Sequence, residues 1–123
     1  MVLVDTSIWI DHLRAGDSDL AELLTAQQVL THPFVIGEIM LGNLQRRGVV
    51  LEALQFLPKA VTASDQEVLH LVEREALAGL GIGYIDAHLL ASTRLTPGCR
   101  LWTRDKRLRT VGQRLHLLAE GFR

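Results

Sequence analysis

The sequence predicts an α/β protein: one domain over residues 1–123, with a short parallel sheet between two layers of helices. Three observations predict it. Short apolar or β-branched runs alternate with helical patterns along the whole chain, and strands joined by helical connections return as parallel, right-handed neighbours. A hydrophobic fraction of 48% over 123 residues supplies one sizeable core. No repeat, low-complexity tract or linker divides the chain, and no stretch combines low hydrophobicity with high charge.

The elements follow in order. Val2-Leu3-Val4 is a first strand, and Asp5-Thr6-Ser7 offers caps for a helix carrying Ile8, Trp9 and Leu13, ended near Ala15-Gly16. Asp17-Ser18-Asp19 opens a second helix with Leu20, Leu23 and Leu24. Gln28 to Thr31 reads as a second strand. His32-Pro33 then places proline at a helix start, where its missing N–H costs nothing, and that helix runs through Glu38 towards Gly48. Val49 to Leu57 is helical, stopped by Pro58. Lys59 to Thr62 is a short third strand. Ser64-Asp65-Gln66-Glu67 is a capping box for an amphipathic helix through Val68, Leu69, Val72 and Ala76. The glycines from Gly79 to Gly83 interrupt the pattern before a helix from Tyr84 to Leu95. After the Pro97-Gly98 turn, Cys99 to Thr103 is a fourth strand, Asp105 to about Leu115 a last helix, and the final residues a further strand.

Composition narrows the class. No apolar run approaches the roughly 20 residues a bilayer span needs, and the opening Met1-Val2-Leu3-Val4 meets Asp5 too soon for a secretory signal. Cys99 stands alone, as an inert core thiol would, so a cytoplasmic protein without disulfides is expected. The net charge of −1 hides an asymmetry: Met1 to Thr93 hold 5 basic and 12 acidic residues, Arg94 to Arg123 hold 8 and 2. A basic segment on an acidic body can contact nucleic-acid phosphates, or simply form a solvated helix face.

Four carboxylates stand out. Asp5 follows the first strand and Asp105 the fourth, and ligands of parallel sheets bind beyond the carboxyl ends of strands. Each alone would be an ordinary helix cap. Glu38 shares a helix face with Phe34, Leu41 and Gly42, and Asp86 sits among Ile82, Leu89 and Leu90, with no Lys or Arg within four residues of either. A carboxylate on an apolar face must be paired, protonated or bound to a metal. Four together would raise one another's pKa values, and a divalent cation removes that penalty. All-oxygen donors suit Mg²⁺, or Mn²⁺ in its place. The histidines His12, His32, His70, His88 and His116 are scattered without zinc spacing and read as surface or packing residues, His88 being two residues from Asp86.

With these segments in order, the chain resembles the PIN-domain nucleases and, among them, the VapC-like toxins of bacterial and archaeal toxin–antitoxin pairs. The likeness lies in Val4-Asp5-Thr6-Ser7-Ile8-Trp9-Ile10-Asp11, in Val35-Ile36-Gly37-Glu38, in Tyr84-Ile85-Asp86-Ala87 and in Thr103-Arg104-Asp105-Lys106. The resemblance implies Mg²⁺- or Mn²⁺-dependent hydrolysis of RNA phosphodiesters. Asp5 and Asp86 would be direct metal ligands, and Glu38 and Asp105 would complete the site, directly or through water. Thr6, Ser7 and Thr103 would hold carboxylates or waters, and Arg104, Lys106, Arg107 and Arg109 would track the RNA backbone. It also implies a homodimer and a cognate antitoxin laying an amphipathic segment on an apolar groove. The first helix, with Ile8, Trp9 and Leu13, is a candidate lining, although core packing is the simpler reading of Trp9 and of Trp102.

Two rival classes are weighed. A non-catalytic RNA-binding PIN-fold domain would keep the fold and lose cleavage, but degenerate sites usually lose acids and all four are present. An aspartyl-phosphate transfer protein would want a second Asp two residues beyond Asp5, where Ser7 stands, or an acceptor Asp near Val61, where there is none.

Overall fold

A computed structural model describes all 123 residues. Three strands form one parallel sheet in the order β2-β1-β3: β1 (Val2–Val4), β2 (Val29–Leu30) and β3 (Arg100–Trp102). Leu3 lies opposite Leu30 on one side and Leu101 on the other. Seven helices flank the sheet: α1 (Thr6–Ala15), α2 (Ser18–Thr25), α3 (Pro33–Met40), α4 (Arg47–Phe56), α5 (Asp65–Arg74), α6 (Tyr84–Leu95) and α7 (Lys106–Arg114). The α/β class and the alternation of elements are therefore as expected. Covered strands need no polar face, and Leu3, Val4 and Leu101 are wholly buried in a cluster of 27 residues. Trp9 and Trp102 belong to that core, as does Cys99.

Local chemistry sets the helix starts. Asp17 accepts from the Leu20 amide at 3.0 Å, and Ser64 and Glu67 complete their reciprocal capping box at 3.1 and 2.9 Å. His32 caps α3 through Nδ1, which accepts from the Phe34 amide at 3.0 Å.

The expected third strand is shorter than its sequence suggests. Only Lys59 bridges to Thr31, because the following amides turn to α6: Val61 donates to Thr96 Oγ1 at 2.9 Å and Ala63 to Ser92 Oγ at 3.2 Å. The final strand is likewise one bridge, Leu118 beside Leu101. The helix expected to run towards Gly48 ends at Met40, where the Arg47 guanidinium takes the Met40 and Gly42 carbonyls at 2.5 and 2.8 Å. Arg46 then adopts a left-handed φ of 55° to start α4 in a new direction. The α5 helix stops at Arg74, two residues short of Ala76, which has a φ of 54°.

Candidate active site

Parallel strands deliver their carboxyl ends to one rim, and α3, α6 and α7 begin along it. Asp5 continues β1: its amide donates to the Trp102 carbonyl at 3.0 Å, and the residue is only 6% exposed. It occupies the N-cap position of α1, yet its side chain caps nothing. Instead Oδ2 accepts from Thr103 Oγ1 at 2.7 Å and from Ser7 Oγ at 2.8 Å. Thr103 in turn accepts from the Asp105 amide, and Ser7 from the Arg104 amide, both at 3.1 Å. Backbone donors at the end of β3 thus orient two hydroxyls, and the hydroxyls orient one carboxylate. The ordinary helix-cap reading fails for Asp5.

For Asp105 it holds, since Oδ1 accepts from the Leu108 amide at 2.9 Å and caps α7. Glu38, half-buried on the second turn of α3, accepts from Thr6 Oγ1 at 2.8 Å. Asp86 lies in the first turn of α6 and is also half-buried. Its carboxyl is pushed up to about 6, first by burial and then by the Asp5 carboxylate; Asp105 and Glu38 add to the rise, and the Gly83 amide opposes it. Asp86 therefore feels the charge of three acids from separate parts of the chain.

No cation of the protein relieves them. The ion pairs join Arg14 and Arg104 to Asp11, Arg104 to Asp17, Arg94 to Glu75 and His88 to Asp65, and none involves the four acids. As the side chains stand, no three of them close into a ready ligand set. Their chemistry nevertheless fits a hard divalent ion: every donor is oxygen, and the mutual repulsion disappears when a cation enters.

The basic residues divide. Arg104 is spent within the chain, donating to Asp11 at 2.7 Å, to Asp17 at 2.5 Å and to the Arg123 carbonyl at 3.0 Å. It also lies over the Trp102 ring, 5.6 Å from its centroid. Those bonds hold Asp17 below its usual carboxylate range. Lys106, Arg107 and Arg109 are exposed on α7. Arg109 reaches the Thr103 carbonyl at 3.3 Å. The Arg107 stem crosses Gly81, whose φ of +80° and lack of a Cβ permit the approach. On α1, Ile8 and Trp9 are core residues, whereas Leu13 lines a groove of about 610 Å³ with Ile10, Ile39, Leu44, Val49 and Val50.

Sequence reasoning missed the anchors of Arg104. Asp17 was legible as a helix cap, but nothing local in the sequence links it to a residue so far along the chain.

The profile of the PIN domain family matches residues 2–113. Ribonuclease VapC32 of Mycobacterium tuberculosis (strain CDC 1551 / Oshkosh) is 51% identical over 111 residues, covering 90% of this chain and 90% of that protein. The same protein of strain ATCC 25618 / H37Rv matches equally.

Proposed function

Because the chain belongs to the PIN domain family, we propose that it is a ribonuclease that hydrolyses RNA phosphodiesters with Mg²⁺ or Mn²⁺ at Asp5, Glu38, Asp86 and Asp105. One observation carries the reading: the Asp86 carboxyl stands at about 6, raised by burial and by three other acids, with no Lys, Arg or His paired to any of them. The 51% identity to a protein named a ribonuclease supports RNA as the substrate.

The chain's own residues would work as follows. Ser7 and Thr103 fix Asp5 through Oδ2 and leave Oδ1 free of hydrogen bonds within the chain. Thr6 likewise holds one oxygen of Glu38 and leaves the other for the site. Asp86 is ionised above about pH 6 and so free to face the cation, and Asp105 would contribute the oxygen that does not cap α7. When bound, the cation supplies a water of lowered pKa for in-line attack and offsets charge gathering on the phosphate. Lys106, Arg107 and Arg109 lie on the exposed face of α7 just beyond Asp105, suited to the RNA backbone. Arg104 serves as a brace instead.

The resemblance to VapC-like toxins supports a toxin role in the cytoplasm, a homodimer and a cognate antitoxin. The groove of Ile10, Leu13, Ile39, Leu44, Val49 and Val50 suits an amphipathic antitoxin segment. No helix is long and apolar enough to cross a membrane.

RNA digestion with and without metal tests the reading. Cutting supported by Mg²⁺ or Mn²⁺, stopped by EDTA and lost in Asp5→Asn and Asp86→Asn is the expected result. Folded variants that cut like the parent would overturn the assignment of these acids, and metal-independent RNA binding without cutting would leave a non-catalytic domain.

A further inference from the structure

Where α5 packs on α6 lies a second constellation that the chemistry above does not use. Tyr84 Oη donates to Asp65 Oδ1 at 2.9 Å, and His88 Nε2 meets the same oxygen at 3.1 Å. A carboxylate only accepts, so Nε2 carries a proton towards Asp65. His88 is 2% exposed, and its Nδ1 finds no partner. The imidazole works through its ring instead. Phe34 and Tyr84 both pack on it in T-shaped contacts, with centroids 4.7 and 4.8 Å away.

These two rings are not buried by that packing. Phe34 is 37% exposed and Tyr84 48%. The chain has six aromatic residues other than histidine, and its two tryptophans are core. Leaving two rings half in solvent, both against a buried histidine with an unpaired nitrogen, is a poor use of apolar surface in a free-standing core. It is a sensible way to present a rigid aromatic surface: Asp65 fixes the Tyr84 hydroxyl, and His88 fixes the faces of both rings.

The position is informative. Phe34 precedes Glu38 by one turn of α3, and Tyr84 shares the first turn of α6 with Asp86. Phe34 and Glu38, four residues apart, share a face of α3, so the exposed rings lie within one helical turn of two of the acids. A nucleobase has a π face whatever its identity, and aromatic side chains bind unpaired bases through it. We propose that Phe34 and Tyr84, backed by His88 and Asp65, form a stacking platform that receives an unpaired RNA base next to the phosphate held at the acids. This deepens the nuclease reading and rests on it for the identity of the ligand as RNA.

The test measures equilibrium binding of a short single-stranded RNA, and of the same oligonucleotide with one base removed at each position in turn. The full-length Asp86→Asn protein keeps the RNA intact. Removing one particular base is expected to weaken binding about 5- to 100-fold. Phe34→Leu or Tyr84→Leu should erase that difference without weakening the baseless oligonucleotide, and Phe34→Tyr or Tyr84→Phe should restore it. An unchanged difference in folded Leu variants, or no position where the base matters, overturns the platform. If the Leu variants fail to fold, 2-aminopurine in the RNA decides: quenching at one position on the Asp86→Asn protein supports stacking, and its absence refutes it. Loss of a protein partner in the Leu variants with base discrimination intact would assign the rings to that partner and also refute it. Should the parent chain cut no RNA with any metal while base discrimination persists, the nuclease reading falls and the platform stands.

Discussion

Thr103 Oγ1 donates to Asp5 Oδ2 over 2.7 Å, joining the end of β3 to the end of β1 through side chains as well as backbone. The hydroxyl is wholly buried and accepts from the Asp105 amide. A sheet hydrogen bond and a carboxylate orientation thereby become one structure.

Thr103→Val keeps the shape and removes the donor. Cleavage is expected to fall about 10- to 100-fold, with a higher metal concentration needed for half-maximal rate. Ser7→Ala should do the same, because Ser7 is the other donor to that oxygen. Metal titrations of initial cleavage rate check both. An unchanged metal requirement would show that neither hydroxyl positions Asp5.

Asp86 should cost stability in metal-free protein. Its folded pKa of about 6 exceeds the ordinary 3.8, so between these values the folded state holds more protons than the unfolded one. Stability contributed by the protonated acid is complete below about pH 3.8 and lost as pH rises through about 6. At neutral pH in EDTA, Asp86→Asn is therefore expected to melt higher, by about 4 °C for on the order of 1 kcal/mol after allowing for partial solvent screening. Calorimetry or circular-dichroism melting reads it. A lower melting point would mean that Asp86 is already compensated within the chain.

The same proton competes with the cation. Mg²⁺ or Mn²⁺ should raise the melting temperature of the parent protein more at pH 7.5 than at pH 5, because below about 6 the metal must displace the Asp86 proton. Asp86→Asn should flatten that pH dependence. Equal stabilisation at both pH values would detach Asp86 from the cation.

Arg104 and its neighbours on α7 should separate experimentally. Arg104→Met breaks the bonds to Asp11 and Asp17 and is expected to lose about 2 kcal/mol, a fall of roughly 5–10 °C in melting temperature. Lys106→Met, Arg107→Met and Arg109→Met should melt near the parent, weaken RNA binding uniformly and each reduce the salt slope by about 1. If Arg104→Met lowers the salt slope instead, its guanidinium leaves Asp11 and Asp17 for RNA.

How much of this was legible depended on distance along the chain. The capping box at Ser64, the strand at Val2 to Val4 and the stranded acids Glu38 and Asp86 are local patterns, readable from neighbours a few residues away. The end of α3 at Met40 was hidden because its cap comes from Arg47, a surface cation with no motif. The third strand was overestimated because Ser92 and Thr96, on a helix much later in sequence, take the amides of Ala63 and Val61. The Tyr84-Asp65-His88 set was invisible for the same reason: it unites α5 with α6, and no spacing rule connects them.

One consequence follows from the register of β1 against β3, which sets Leu3 opposite Leu101. The central strand is synthesised long before β3, a neighbour it needs. Such a long closure makes for slow folding, and it also keeps an unfinished chain harmless. Until Thr103 is synthesised, Asp5 has lost a donor and Asp105 does not exist. Translation products halted before Arg100 are therefore expected to be unstructured by circular dichroism and inert towards RNA, because the acid site is assembled only once β3 has been made.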